Sequence, residues 1–108
     1  MRSISHFVGG AAYASGERQG DIFDPNNGGV QANVRLGNAS DLERAVAAAN
    51  EAAPGWAATN PQRRARIMFN FKSLVERNMD ELAHLLSSEH GKVIADSKGD
   101  IQRGLEVI

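Results

Sequence analysis

The residue pattern of this 108-residue chain changes once, close to residue 38, and that change limits the folds available to it. Before it, glycine-rich turns separate short segments that suit β-strands. After it, alanine, leucine, arginine and glutamate dominate, and apolar residues recur at helical spacing. The pattern predicts an α+β fold, with β-hairpins in residues 1–37 and about four helices in residues 40–108.

The first hairpin is predicted around a pair of glycines. Residues 6–8 and 11–13 are short, mostly apolar segments on either side of the glycines at 9–10, which favour a tight turn. Ser15-Gly16 marks a further turn. We therefore expect two short strands in residues 6–13.

A second hairpin is predicted in residues 21–36. Its first strand is stopped by Pro25, and the Asn-Asn-Gly-Gly sequence at 26–29 is a strong turn signal, because both residue types tolerate positive φ. Residues 30–36 then alternate apolar and polar side chains, the period of a half-buried strand.

The first helix is predicted to begin at Ser40. Ser40 and Glu43 have the spacing of a capping box, in which each side chain bonds the other residue's backbone amide. Pro54-Gly55 is expected to end the helix, and Trp56 to fill the junction that follows. The expected buried face consists of Leu42, Ala45, Val46 and Ala49.

The second helix is predicted to begin near Pro61. Thr59 or Asn60 would cap it, and a proline in the first turn loses no helical hydrogen bond. Asn78, followed by two acidic residues, has the pattern of a new cap, so we expect a separate third helix from there. The expected buried stripes are Ile67, Phe71, Leu74 and Val75, then Leu82, Leu85 and Leu86.

The third helix is predicted to end at Gly91, a residue suited to a left-handed cap. A last helix should run from about Ile94 to the end. Its apolar residues are Ile101, Leu105, Val107 and Ile108. The chain stops within a helical pattern on an apolar residue, which favours a truncated polypeptide.

Composition excludes several function classes. With 42% hydrophobic residues and a net charge of −1, the chain should fold and should attract neither nucleic acid nor an acidic membrane. It has no cysteine, so disulfides, cysteine zinc sites and a cysteine nucleophile are excluded within it. No apolar stretch is long enough for a membrane span, and the N-terminus lacks a signal-peptide core, so a cytoplasmic location is predicted.

Most polar motifs are interpreted as structural. Neither glycine pair lies between a strand and a helix with nucleotide-loop spacing, and Gly91-Lys92 lacks the other residues of a P-loop. The histidines at 6, 84 and 90 do not have the spacing of a helical metal pair. The arginines at 63, 64, 66 and 77 are balanced by acidic residues at 76, 80 and 81 and predict a solvated, partly salt-bridged helix face. No metal or cofactor site is expected.

Arg103 is the remaining candidate. It lies in the last helix between Ile101 and Leu105, and Asp100 and Glu106 are three residues away on either side. On this pattern alone, a surface or ion-paired arginine is favoured. Its planar guanidinium could alternatively bind a carboxylate.

Several segments, in this order and spacing, resemble the aldehyde dehydrogenase family over almost the whole chain. They are SHFVGG (5–10), FDP and GVQANV (23–34), AVAAA (45–49), PQRRAR (61–66), DELA (80–83), EHGKV (89–93) and AD (95–96). The resemblance implies the N-terminal part of an NAD-binding domain, ahead of the Rossmann core and the catalytic domain. Its outer strands and helices make up the α+β fragment predicted above.

Two shorter segments are similar to the methylmalonate-semialdehyde branch of that family. They are EHGK (89–92) and RGLEV (103–107). This similarity implies that Arg103 binds the substrate carboxylate. Asp100 stands where the family more commonly has glutamate.

The resemblance also implies a reaction for the parent protein. A cysteine thiolate attacks the semialdehyde, hydride passes to NAD, and coenzyme A takes the acyl group with decarboxylation to propionyl-CoA or acetyl-CoA. Such reactions serve valine and inositol breakdown. The isolated chain is expected to be inactive and to bind no cofactor, whereas the parent should be a homo-oligomer or the fragment should self-associate.

Two other hypotheses remain open. The chain could be a stand-alone helical interaction module without enzymatic activity, using faces such as Phe71, Leu74 and Leu105, or a degenerate gene product. A module should be a monomer that unfolds cooperatively, whereas a fragment should expose apolar patches and associate.

Overall fold

The computed structural model describes residues 1–14 and 16–108. The predicted turn at Ser15-Gly16 therefore lies partly outside the described residues. The chain divides into two compact units. The first comprises residues 1–23 and 29–58, and the second comprises residues 24–28 and 59–108.

The strands belong to the first unit and confirm both predicted hairpins. The strands are β1 (Arg2–Ile4), β2 (His6–Val8), β3 (Ala11–Tyr13), β4 (Gln19–Phe23) and β5 (Val30–Arg35). One sheet has the order β1-β5-β4, with β4 antiparallel to β5, and β2 and β3 form a separate antiparallel pair. Gly9 and Gly10 form the β2–β3 turn with φ of 62° and 81°.

Strand β1 was missed by the sequence reasoning. It runs parallel to β5, with Arg2 opposite Ala32 and Ile4 opposite Val34. Three residues without a flanking turn signal carry too little local information to predict a strand. The strand forms because β5, whose Ala32 is fully buried, offers a second edge for pairing.

Helix α1 spans Ala39–Ala58, but its cap is not the predicted one. The Asn38 side-chain oxygen accepts from the Asp41 amide at 3.1 Å, and the Asp41 carboxylate accepts from the Asn38 amide at 2.8 Å. Ser40 instead donates its hydroxyl to Asn38 Oδ1 at 2.7 Å. The Ser40–Glu43 box was therefore wrong by two residues, because Asn and Asp fit the same geometry one half-turn earlier.

The prediction that Pro54-Gly55 ends the first helix was also wrong. The helix continues through both residues to Ala58. A proline removes only one hydrogen bond from the ladder, and the surrounding alanines have the highest helix propensity. Trp56 lies within the helix rather than after its end, with 45% of its surface exposed.

The second unit contains helices α2 (Pro61–Arg77), α3 (Met79–His90) and α4 (Ile94–Leu105). The predicted start at Pro61 is confirmed, and Asn60 is its cap, since its side-chain oxygen accepts from the Gln62 amide at 2.8 Å. Thr59 is not the cap. The predicted division at Asn78 is confirmed as well.

The role of Asn78 differs from the predicted one. Its side chain makes no capping bond to α3 but donates from Nδ2 to the Leu74 carbonyl at 2.7 Å, so it closes the end of α2. Gly91 is the predicted left-handed cap of α3, with φ of 85°. Its amide donates to the Ser87 carbonyl at 2.8 Å.

The core of the second unit lies between α3 and α4. Ala83 and Ser97 are fully buried, Leu105 is 2% exposed, and the hydroxyls of Ser87 and Ser97 lie 2.7 Å apart. Leu105, which was named as part of the possible binding face of a stand-alone module, is instead buried, and the hydroxyl pair was not foreseen.

The predicted apolar stripes of the helices remain largely exposed. Because a short chain buries a smaller fraction of its surface than a large domain does, helical spacing alone did not identify the buried side chains. Exposed fractions are 66% for Leu42, 49% for Val46, 50% for Ile67, 48% for Phe71, 47% for Leu74, 36% for Leu82 and 39% for Leu85.

Candidate functional site

Arg103 lies in the last turn of α4, and 72% of its side chain is exposed. Its Nη2 group donates a hydrogen bond to Asp100 Oδ1, one helical turn earlier. Of the two partners that the sequence offered, the structure selects Asp100 and leaves Glu106 out of the pair. The spacing of three residues places both side chains on one face of the helix.

Asp100 is shared with a second cation. Lys92 Nζ contacts the other carboxylate oxygen, Asp100 Oδ2. Lys92 follows the left-handed cap Gly91 directly, so the change of chain direction there leads into this contact. The side chains of Lys92 and Asp100 are 21% and 33% exposed. We name Lys92, Asp100 and Arg103 the α4 cluster.

The α4 cluster carries two positive charges and one negative charge. The hydrogen bond from Lys92, and then that from Arg103, lowers the pKa of Asp100 below its ordinary value of 3.8. Asp100 is therefore ionised at neutral pH, and one positive charge of the cluster is left uncompensated. Such a surface attracts a single anion.

The Arg103 guanidinium has more N–H donors than its bond to Asp100 uses. Arginine carries five N–H groups, and the two hydrogens of Nη2 point to different edges of the planar fork. The Asp100 bond uses Nη2 alone, so an edge with two parallel donors stays open. A carboxylate matches such an edge with two hydrogen bonds.

A second cluster lies in the first unit and was missed from the sequence. The Tyr13 hydroxyl donates to Asp41 Oδ1, and His6 Nε2 lies 3.8 Å from Asp41 Oδ2. The Arg44 guanidinium carbon stands 4.1 Å from the centre of the Tyr13 ring. Tyr13 and Asp41 are 28 residues apart in the sequence, and no local motif predicts their contact.

Asp41 acts as an anchor in this second cluster. It is 7% exposed, and its two oxygens accept from the Tyr13 hydroxyl and from the Asn38 amide. These bonds connect β3 to the start of α1. A cavity of about 440 Å³ adjoins them, lined by His6, Phe7, Val8, Tyr13, Gly37, Asn38, Asp41, Leu42 and Ala45.

The other candidates from the sequence are not gathered into a site. His84 and His90 are exposed on α3, and no group of three or more histidine, aspartate and glutamate side chains suited to a metal ion occurs in residues 1–14 and 16–108. On α2, Arg63 and Arg66 are exposed and line a pocket of about 400 Å³ with Thr59, Ile67 and Asn70.

Among the described residues, no helix is both long and apolar enough to cross a bilayer.

The glycine pairs at 9–10 and 28–29 do not form a dinucleotide-binding turn. Dinucleotide phosphates bind where a strand passes through a glycine-rich turn into a helix. The turn at 9–10 joins β2 to β3, and the turn at 26–29 joins β4 to β5. Neither turn precedes a helix, so neither glycine pair has the geometry of a dinucleotide-phosphate turn.

The fold and sequence match known proteins over almost the full chain. The family model described as "Aldehyde dehydrogenase family" matches residues 13–108. A malonate-semialdehyde dehydrogenase of Pseudomonas aeruginosa is 36% identical over 106 residues, 98% of this chain and 21% of the relative. One from Bacillus pumilus is 38% identical and is matched by 100% of this chain, over 22% of its own length.

Solved structures of related enzymes also match the chain. A protein from Sinorhizobium meliloti 1021, assigned as a methylmalonate-semialdehyde dehydrogenase and complexed with NAD, is 51% identical with a TM-score of 0.97, over 99% of this chain and 22% of that one. The methylmalonate-semialdehyde dehydrogenase of Oceanimonas doudoroffii is 38% identical with a TM-score of 0.96, over 98% and 22%.

These matches confirm the predicted fold class. In the described residues, the strands and four helices form an α+β fragment of the aldehyde dehydrogenase fold. The chain spans about a fifth of the length of the relatives it matches, namely 21% and 22% of the two cited above. It belongs to the aldehyde dehydrogenase family.

Proposed function

We propose that this chain is the N-terminal part of an NAD-dependent, CoA-acylating dehydrogenase of methylmalonate or malonate semialdehyde. In the parent enzyme it would form the first part of the NAD-binding domain, ahead of the Rossmann core and the catalytic domain. The support is the set of named relatives, which the chain matches over 98% to 100% of its length. A cytoplasmic homo-oligomer is proposed for the parent.

The observation that carries the proposal is the exposed Arg103 guanidinium with an open two-donor edge. Both semialdehydes bear a carboxylate at the end opposite the aldehyde. We assign that carboxylate to Arg103. The uncompensated positive charge of the α4 cluster favours the same end of the substrate.

The cysteine content of the chain indicates which catalytic groups the rest of the parent must supply. The family reaction oxidises the aldehyde to an acyl-CoA and releases the carboxylate as CO2, which yields propionyl-CoA or acetyl-CoA. It needs a cysteine thiolate, and the chain has no cysteine. The nucleophile therefore comes from the rest of the parent, while this chain holds the substrate by its charged end.

The test compares Arg103→Gln with the unaltered full-length enzyme. A hydrogen-bonded charged pair contributes about 1.5 to 3 kcal/mol, so the KM for malonate semialdehyde should rise about 10- to 100-fold. The KM for propanal, which lacks the carboxylate, should change less than about twofold. Arg66→Gln, an exposed arginine on α2, is the matched control and should leave both values unchanged. Equal losses for both aldehydes would contradict the assignment.

The chain by itself should produce no NADH from malonate semialdehyde. NADH formed by the purified 108-residue chain would overturn the assignment of the nucleophile to another part of the parent. The native gene product should also be several times heavier than 11.6 kDa, and a native mass of 11.6 kDa would reject the parent enzyme.

Self-association of the isolated chain is the further expectation. Phe69 is 67% exposed, and Ile67 and Phe71 are each about half exposed, so α2 offers a large apolar surface. Analytical ultracentrifugation should show dimers or larger species. A monomer with a sharp unfolding transition would instead favour a stand-alone interaction module.

A further inference from the structure

We propose that Asp100 is a positioning residue for Arg103, and that Lys92 in turn positions Asp100. The inference rests on the proposed function, in which Arg103 binds the substrate carboxylate. Together the three side chains would set the specificity of the enzyme for aldehydes that bear a carboxylate. Neither Asp100 nor Lys92 needs to touch the substrate for this role.

The need for positioning follows from the exposure of Arg103. A long side chain that is 72% exposed has many rotamers in water, and a ligand that selects one of them must overcome that lost freedom. The Asp100 bond holds Nη2 before any ligand arrives. A pre-organised guanidinium binds an anion more tightly because less freedom is lost on binding.

Lys92 explains why Asp100 can act as a fixed point. Its ammonium binds Oδ2 while Arg103 binds Oδ1, so both oxygens are held and the carboxylate cannot turn away from Arg103. The Lys92 side chain is 21% exposed, the least of the three. Lys92 directly follows the left-handed turn at Gly91, and this change of chain direction leads into its contact with Asp100.

The opposite role for Asp100 is competition with the substrate for Arg103. A competing carboxylate would engage the fork with both oxygens, as a substrate would. Asp100 gives one oxygen to Lys92 and takes only Nη2, which leaves a two-donor edge open. The two roles predict opposite effects on substrate binding when the Asp100 carboxylate is removed. Loss of a competitor strengthens the binding, whereas loss of a positioning residue weakens it.

The experiment uses the full-length enzyme with Asp100→Asn. The KM for malonate semialdehyde should rise about threefold to tenfold, while kcat changes less than about twofold and the KM for propanal stays constant. Asp80→Asn is the matched control. It removes another ion pair of the second unit, Asp80 with Lys98 at 2.5 Å, and should leave every constant unchanged.

Further variants separate positioning from a general structural effect. Lys92→Gln should raise the KM for malonate semialdehyde by a smaller factor than Asp100→Asn does. Asp100→Glu keeps the charge, so its KM should lie between those of Asp100→Asn and the unaltered enzyme. In an Arg103→Gln background, Asp100→Asn should add no further change. The Kd of malonate, a non-reacting dicarboxylate, should follow the same order by calorimetry. Lys92→Gln and Asp100→Glu keep the test decisive if Asp100→Asn does not fold.

The outcomes distinguish this inference from the proposed function. If Arg103→Gln raises the KM but Asp100→Asn leaves it unchanged or lowers it, positioning is overturned and the role of Arg103 stands. If Arg103→Gln has no selective effect on the carboxylated aldehyde, the proposed function fails and the inference fails with it. Equal effects of Asp100→Asn on both aldehydes would show a structural role and would also overturn the inference.

Discussion

The side chains of Asn38 and Asp41 each accept a hydrogen bond from the other residue's backbone amide, at 3.1 Å and 2.8 Å. The reciprocal pair satisfies amides that the first turn of α1 would otherwise leave unpaired. It also fixes the Asp41 carboxylate, which accepts the Tyr13 hydroxyl of β3. One local pair therefore sets both the start of a helix and its attachment to a strand.

Asn38→Ala should destabilise the chain by about 1 kcal/mol, because a helix-capping oxygen is lost. Ser40→Ala is the control, since the Ser40 hydroxyl only donates to Asn38 Oδ1 at an exposed position. It should cost less than about 0.5 kcal/mol. Urea unfolding followed by circular dichroism measures both, and a larger loss for Ser40→Ala would show that the cap is misassigned.

Tyr13→Phe should destabilise the chain by about 1 to 3 kcal/mol. It removes a hydrogen bond to a carboxylate that is 7% exposed, while the ring that Arg44 covers is kept. Arg44→Gln tests the ring contact separately and should cost about 0.5 to 1 kcal/mol. Chemical unfolding of the two variants gives the comparison. If Tyr13→Phe cost no more than Arg44→Gln, the hydroxyl bond would be of no consequence.

Gly91→Ala should destabilise the chain by about 1 to 3 kcal/mol. The backbone there has φ of 85°, which disfavours side chains, and an added Cβ would lie 3.1 Å from Pro25 Cγ. Gly104→Ala in α4 should have the opposite sign, with a gain of up to about 1 kcal/mol, because a Cβ there meets nothing within 4 Å. Thermal unfolding reports both, and a stable Gly91→Ala variant would contradict the cap geometry.

Stability should fall in acid partly through Asp80 and Asp100. Hydrogen bonds from Lys98 to Asp80, and from Lys92 and Arg103 to Asp100, lower the pKa of each carboxyl below its ordinary value of 3.8. A lowered folded-state pKa gives stability that is present above 3.8 and is lost as pH falls from there through the folded value.

The double variant Asp80→Asn, Asp100→Asn should therefore depend less on pH below 3.8 than the unaltered chain. Urea unfolding at a series of acid pH values measures the dependence. If the free energy of unfolding fell equally with pH in both proteins, neither ion pair would contribute to folding.

Short-range patterns in the sequence predicted the order and type of most elements and several of their ends. The hairpins at residues 6–13 and 21–36, the start at Asn60-Pro61, the division at Asn78 and the cap at Gly91 all followed from short-range rules. These features depend on φ preferences and on hydrogen bonds between residues a few positions apart. Neighbours in the chain are enough to predict them.

The remaining features arise from tertiary contacts. The pairing of β1 with β5, the contact of Tyr13 with Asp41 and the exposure of the apolar helix faces depend on residues distant in the sequence. In the α4 cluster, the sequence offered Asp100 as a partner of Arg103, but the second cation on Asp100 came from Lys92, eight residues earlier and beyond the reach of one helical turn. Local preference specifies a helix, whereas packing selects what its side chains touch.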